Sequence, residues 1–171
     1  MKRARRAIRQ IGYLLLSLIT LSGIYAPAIA RAFSGNGTGA IDNPYKVSNC
    51  EQLQDVSGDL SGYYIQTGNI DCSDTENWNS GAGFAPLGDY STPFTGVFDG
   101  QGFTVDNLHI DAGDEVVGLF GFTSLATVRN VNLRGGLISS TSGSDSASLI
   151  GVATDSTISG CSSTVTTIGV R

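Results

Sequence analysis

The sequence is poor in the residues that catalysis and nucleic-acid binding ordinarily need. It has one histidine, His109, and three cysteines, and no CxxC or Cys/His spacing that would support zinc. Beyond residue 32 the only cations are Lys46, Arg129, Arg134 and Arg171, set against all fifteen acidic residues, a formal charge of −11. Such a surface repels phosphate backbones, so nucleic acid is not an expected partner. No Ser/His/Asp set can be assembled convincingly, and no long amphipathic helix is visible in residues 33–171.

Glycine, by contrast, occurs 23 times, and with Ser, Thr, Asn and Asp it supplies many tight turns. The apolar fraction, 40%, is too high for a disordered stalk. Residues 1–32 read as an export signal: a basic start (Lys2, Arg3, Arg5, Arg6, Arg9), an apolar run from Ile11 to Ile24, and small residues for cleavage at Ala28-Ile29-Ala30 or Ala30-Arg31-Ala32. Left uncleaved, Ile11 to Ala30 would be long enough to anchor the protein, since a spanning helix needs about 20 residues. The expected location is therefore secreted or cell-surface, with no membrane partner once the signal is removed. Residues 33–171 are expected to form one domain around one core.

Two segments echo each other, Thr104-Val105-Asp106-Asn107-Leu108-His109-Ile110 and Thr127-Val128-Arg129-Asn130-Val131-Asn132-Leu133, and a weaker copy follows as Thr157-Ile158-Ser159-Gly160-Cys161-Ser162-Ser163. Such recurrence marks a stacked repeat whose units bury their apolar faces against neighbours. Aligned, Val105, Val128 and Ile158 form one inward column and Leu108, Val131 and Cys161 a second. Asn107, Asn130 and Gly160 stand between them, residue types that accept positive φ, and read as a bend. Gly118-Leu119-Phe120-Gly121 and Ser148-Leu149-Ile150-Gly151 match as well, at the same 30-residue separation as Val128 and Ile158. Strand, bend and strand in register predict an all-β fold, a right-handed parallel β-solenoid (β-helix).

At its start, Ser48-Asn49-Cys50-Glu51 has capping-box spacing, and Leu53, Val56 and Leu60 follow at helical intervals. These predict a short capping helix, Asn49 to Ser57, over the open end of the solenoid. Cys50 and Cys72 both fall in this cap, and export makes a disulfide between them the expected state. Cys161 is expected to remain a reduced core thiol. Further along, Phe94, Gly96 and Phe98 share a strand face, Asp99-Gly100 gives a tight turn, and Phe103 and Val105 resume the inward face.

Asn43-Pro44-Tyr45, Ile70-Asp71-Cys72-Ser73, Trp78, Ala85-Pro86-Leu87-Gly88 and Phe94-Thr95-Gly96-Val97-Phe98-Asp99-Gly100-Gln101-Gly102 resemble the leading unit of bacterial surface proteins with GLUG motifs. Gly118-Leu119-Phe120-Gly121 and the later echoes resemble the repeats that follow it. The chain departs from that pattern at Phe103, where His or Tyr is usual, and at Ser148-Leu149-Ile150-Gly151 with Gly160-Cys161. The resemblance implies a secreted or cell-surface structural and adhesive solenoid without catalysis, whose partner is a surface glycan or protein.

The alternative is a carbohydrate-binding or carbohydrate-cleaving β-helix, which needs carboxylates and an aromatic converging on one groove. Candidate carboxylates are Asp71, Asp74 and Glu76, then Asp99 and Asp106, then Asp111, Asp114 and Glu115. Cofactors are not expected. Calcium has candidate loops at Asp71–Asp74 and Asp111–Glu115, but neither has EF-hand spacing and solvated turns account for both. The strand-like residues Thr164 to Arg171 lack a polar cap, so the expectation includes a domain truncated at this end, or edge-to-edge self-association.

Overall fold

The computed structural model describes residues 32–113, 116–141 and 145–169. The expected export signal lies outside these residues but for Ala32. Among the described residues no helix is long and apolar enough to cross a membrane.

Short strands pair in parallel and stack as a β-solenoid of about three turns. The first sheet takes one strand from each pass of the chain: Tyr45–Val47, Tyr63–Gln66, Val97–Asp99, Thr127–Arg129 and Thr157–Ser159. A second sheet stacks Ile70–Asp71, Thr104–Asp106, Asn132–Arg134 and Ser162–Ser163, and a third His109–Ala112, Leu137–Ser140 and Thr166–Gly169. Two smaller sheets complete the circuit, pairing Val116–Val117 with Asp145–Ser146 and Phe120–Ser124 with Ile150–Thr154.

Alternation along each strand sends one column of side chains inward. In the first sheet that column runs Tyr45, Tyr64, Phe98, Val128 and Ile158. Its aromatic part is a ring stack, with centroids 5.1 Å apart for Tyr45 and Tyr64 and 6.3 Å for Tyr64 and Phe98, and Phe120 meets Phe98 edge-on from another sheet. Complete burial of a ring such as Phe98 stabilises the fold by roughly 2–3 kcal/mol.

This register corrects the ladder expected from the echoes. Val128 does stack on Ile158, but Val105 pairs with Ile70 and Leu133 in the second sheet. The segments 104–110 and 127–133 are therefore successive corners of the circuit, and not the same corner of successive coils. They look alike because each is a strand, one left-handed residue and a strand: φ is 58° at Asn107 and 55° at Asn130. The bend column divides in the same way. Asn107 lies over Gly135 and Asn130 over Gly160; a Cβ on either glycine would come within 2.9 Å or 2.6 Å of the asparagine Oδ1 above it. Val105, Leu108, Val128 and Val131 are fully buried, whereas Ile158 in the last coil is 42% exposed and Cys161 is half-buried with a free thiol.

The cap also differs in detail. The helix is Cys50–Asp55, continued by a 3₁₀ turn over Val56–Gly58. Its N-cap is Asn49, whose Oδ1 accepts from the Gln52 N–H, and Gln52 Oε1 reaches back to the Ser48 N–H at 2.8 Å. The reciprocal cap is thus made by Asn49 and Gln52 in place of Ser48 and Glu51. Cys50 and Cys72 are joined in a disulfide that ties this helix to the start of the second sheet. Leu53 and Val56 are fully buried, but Phe103, expected inward, is 37% exposed.

Candidate functional site

The outward columns of the first sheet carry the candidate site. One runs Tyr63, Val97, Thr127 and Thr157; the other runs Lys46, Ile65, Asp99, Arg129 and Ser159. Across from their first coils stands the loop Thr38–Pro44. It is held by Thr38 N–H to Asn43 O (2.9 Å), Asn43 N–H to Ala40 O (3.0 Å) and, from the sheet, Tyr63 N–H to Gly39 O (2.9 Å). Gly37, at φ 106°, permits the close return, since a Cβ there would lie 2.1 Å from Pro44 O. Loop and sheet enclose a groove of about 270 Å³ that includes Ile41, Tyr63, Ile65, Val97, Thr127 and Arg129 in its lining.

At one end of the groove the Asp99 carboxylate accepts from Arg129 Nε (2.7 Å), Asn130 Nδ2 (3.0 Å) and the Gln101 N–H (2.9 Å). Burial of Asp99 works against its ionisation, but the hydrogen bonds from Asn130, the Gln101 N–H and Arg129 outweigh it and hold its pKa below the ordinary carboxylate value. The same scheme recurs one corner on, where Arg134 grips Asp106 with both Nε and Nη2 at 2.9 Å. Nothing local in the sequence pairs Arg129 and Arg134 with these aspartates, because the pairs join residues about 30 positions apart and depend on the coil register.

A second, shallower groove of about 510 Å³ is lined by Ser73, Glu76, Asn107, His109, Gly136 and Leu137. Asp71 borders it, engaged by the Ser73 N–H (3.0 Å) and by Asn107 Nδ2 (3.4 Å); the Ser73 backbone bond is the main reason its pKa lies low. Asp89 is held low in the same way inside its own turn, first by the Thr92 N–H. Asp111 accepts from the Ser139 hydroxyl one coil on. Trp78 packs against the core as a half-buried side chain. Among the described residues no three of His, Cys, Asp and Glu converge where they would hold a metal. Asp114 and Glu115 of the second calcium candidate lie outside the described residues.

No family model matches the chain. It is 38% identical over 112 residues to halomucin of Haloquadratum walsbyi, an alignment covering 61% of this chain and 1% of halomucin. It is also 31% identical over 143 residues to a protein of Evansella cellulosilytica provisionally described as a Gly-rich membrane protein, covering 78% of this chain and 16% of that one. The chain thus spans only a small part of these relatives. Among solved structures, a Bacteroides ovatus protein provisionally described as an immunoglobulin A1 protease is similar with a TM-score of 0.51 and 27% identity, over 63% of this chain and 30% of its own.

Proposed function

We propose that the chain is a structural and adhesive β-solenoid module of a secreted or cell-surface protein, of the GLUG type, presenting its outer grooves to a surface ligand without catalysis. One observation carries the reading: the aspartates beside the grooves are engaged in holding coils and turns together. Asp99 and Asp106 are gripped by arginines of the next coil, and Asp71 caps its own loop and receives Asn107. Among the described residues, each aspartate whose pKa departs clearly from the ordinary value is shifted down, whereas a general acid at neutral pH needs a raised one. The names of the relatives, a halomucin and a membrane protein, support a surface location.

The competing reading is a carbohydrate-cleaving solenoid. It rests on the groove that places Glu76 and His109 in one lining. A single experiment separates the two: the purified chain is applied to arrays of glycans and of extracellular-matrix and cell-surface proteins, with and without calcium, and reducing-end release is followed on every glycan bound. Saturable binding without product is the expected result. Product formation would overturn the non-catalytic reading, and absence of binding to either array would overturn the adhesive one.

A further inference from the structure

The groove between the Thr38–Pro44 loop and the first sheet differs from the rest of the outer surface. On the second sheet the outward positions are polar, as at Thr104, Asp106, Asn132 and Arg134, and on the third the apolar Leu137 and Ile168 stand singly among His109, Asp111, Ser139 and Thr166. Here they are Tyr63, Ile65 and Val97, each half-buried, and the loop sets Ile41 over them at 75% exposure. A cluster of apolar side chains on an outer face, as opposed to single ones, marks a contact site. Its walls are already in place, because the loop is fixed by backbone hydrogen bonds to itself and to Tyr63. A preformed groove avoids the cost of ordering a loop on binding.

The polar groups at the groove are directed and unused. Asp99 fixes Arg129 through Nε alone, and among the described residues neither Nη group of Arg129, nor the Tyr63 or Thr127 hydroxyl, has a hydrogen-bond partner. The Asp99–Arg129 pair carries no net charge, so its free edge offers aimed N–H donors and not a trap for anions. The charge of −11 on residues 33–171 further disfavours an acidic ligand. An aromatic ring and aliphatic floor suit the apolar face of a sugar ring, and donors and hydroxyls beside them suit its equatorial oxygens.

From this juxtaposition we infer that the groove is a subsite for a neutral pyranoside, stacked on Tyr63 and hydrogen-bonded by Arg129 and Thr127. The inference rests on the adhesive reading and names the ligand class for one of its grooves. A space of about 270 Å³ is at the small end of ligand sites and suits a short glycan segment.

The test measures affinity of the purified chain for an array of neutral oligosaccharides with hexose and N-acetylhexosamine termini, beside uronate-bearing and sialylated ones. Neutral termini should bind saturably. Tyr63→Ala, and Val97→Arg to fill the groove, should each weaken binding by about tenfold or more, whereas Tyr63→Phe should stay within about threefold. Phe103→Ala removes an exposed aromatic elsewhere and should leave affinity unchanged. Circular dichroism and melting temperature show whether each variant is folded. Glycan binding that survives both Tyr63→Ala and Val97→Arg in folded protein would overturn this subsite and leave the adhesive reading standing. So would binding confined to acidic glycans. Protein ligands bound with no glycan bound would have the same meaning, and failure on both arrays would remove the two readings together.

Discussion

Asp99 and Arg129 hold the same register position in successive coils and meet through a 2.7 Å bond between Oδ2 and Nε. Asp99 is almost wholly buried and Arg129 half-exposed, so the aspartate is the partner that suffers when the contact is broken. Asp99→Ala leaves Arg129 and the Asn130 amide without their acceptor and should cost about 2 kcal/mol at neutral pH. Chemical denaturation gives the value directly.

The same residue sets a pH dependence. Its folded pKa is depressed, so its contribution is complete above the unfolded carboxylate value of about 3.9 and is lost as pH falls through the lower folded value. Wild-type protein should lose melting temperature more steeply than Asp99→Asn as pH falls below about 4. Parallel profiles would show that other carboxylates, Asp71 and Asp89 among them, account for acid lability.

Reduction should loosen the cap first. The Cys50–Cys72 bond closes a separation of 22 residues, worth roughly 3 kcal/mol in the chain-entropy picture. Its loss should raise hydrogen exchange in Cys50–Asp55 and Tyr63–Gln66 before it does so in Thr127–Arg129. Equal deprotection of all three segments would show that the cap and the coils open as one unit.

Two glycines near the corners separate crowding from backbone strain. Gly136, at φ 86°, lies where a Cβ would come 2.2 Å from Leu108 O, whereas Gly102, at φ 78°, has nothing within 4 Å of that position. Gly102→Ala should therefore cost only the left-handed penalty of about 1 kcal/mol. For Gly136→Ala the expected cost is about 3 kcal/mol or more, because the corner backbone must also shift. Similar melting temperatures for the two variants would count against this packing.

Along the first inward column, the cost of truncation should decline toward the last coil. Val128 is fully buried between Phe98 and Ile158, while Ile158 is 42% exposed. Val128→Ala should cost about 2 kcal/mol and Ile158→Ala less, although Ile158 loses more atoms. Reversal of that order in urea titrations would mean that Ile158 is covered in solution.

Much of this architecture was legible because a parallel solenoid repeats its chemistry. The 30-residue separation of Val128 from Ile158 and of Leu119-Phe120 from Leu149-Ile150 is the true coil period, and both pairs stack or lie beside their stacked strands. The stronger echo misled because likeness of sequence followed likeness of corner. Thr104-Val105 and Thr127-Val128 precede the same left-handed bend, yet they belong to different sheets. Phe98 was the missing partner of Val128, hidden because a phenylalanine and a valine share little beyond being apolar. The groove was less legible still. Nothing local ties Ile41 to Val97 or Arg129, and only the winding of the chain brings them together.

The narrowing of the inward column, from tyrosine and phenylalanine to valine and isoleucine, gives the molecule a polarity under load. Under a pull across residues 33–171, the coils filled by valine and isoleucine should open before the ring-stacked ones. Each coil released frees about 30 residues, on the order of 100 Å of slack. The disulfide between Cys50 and Cys72 acts at the opposite, capped end, where it keeps the segment between the two cysteines from extending while both remain oxidised.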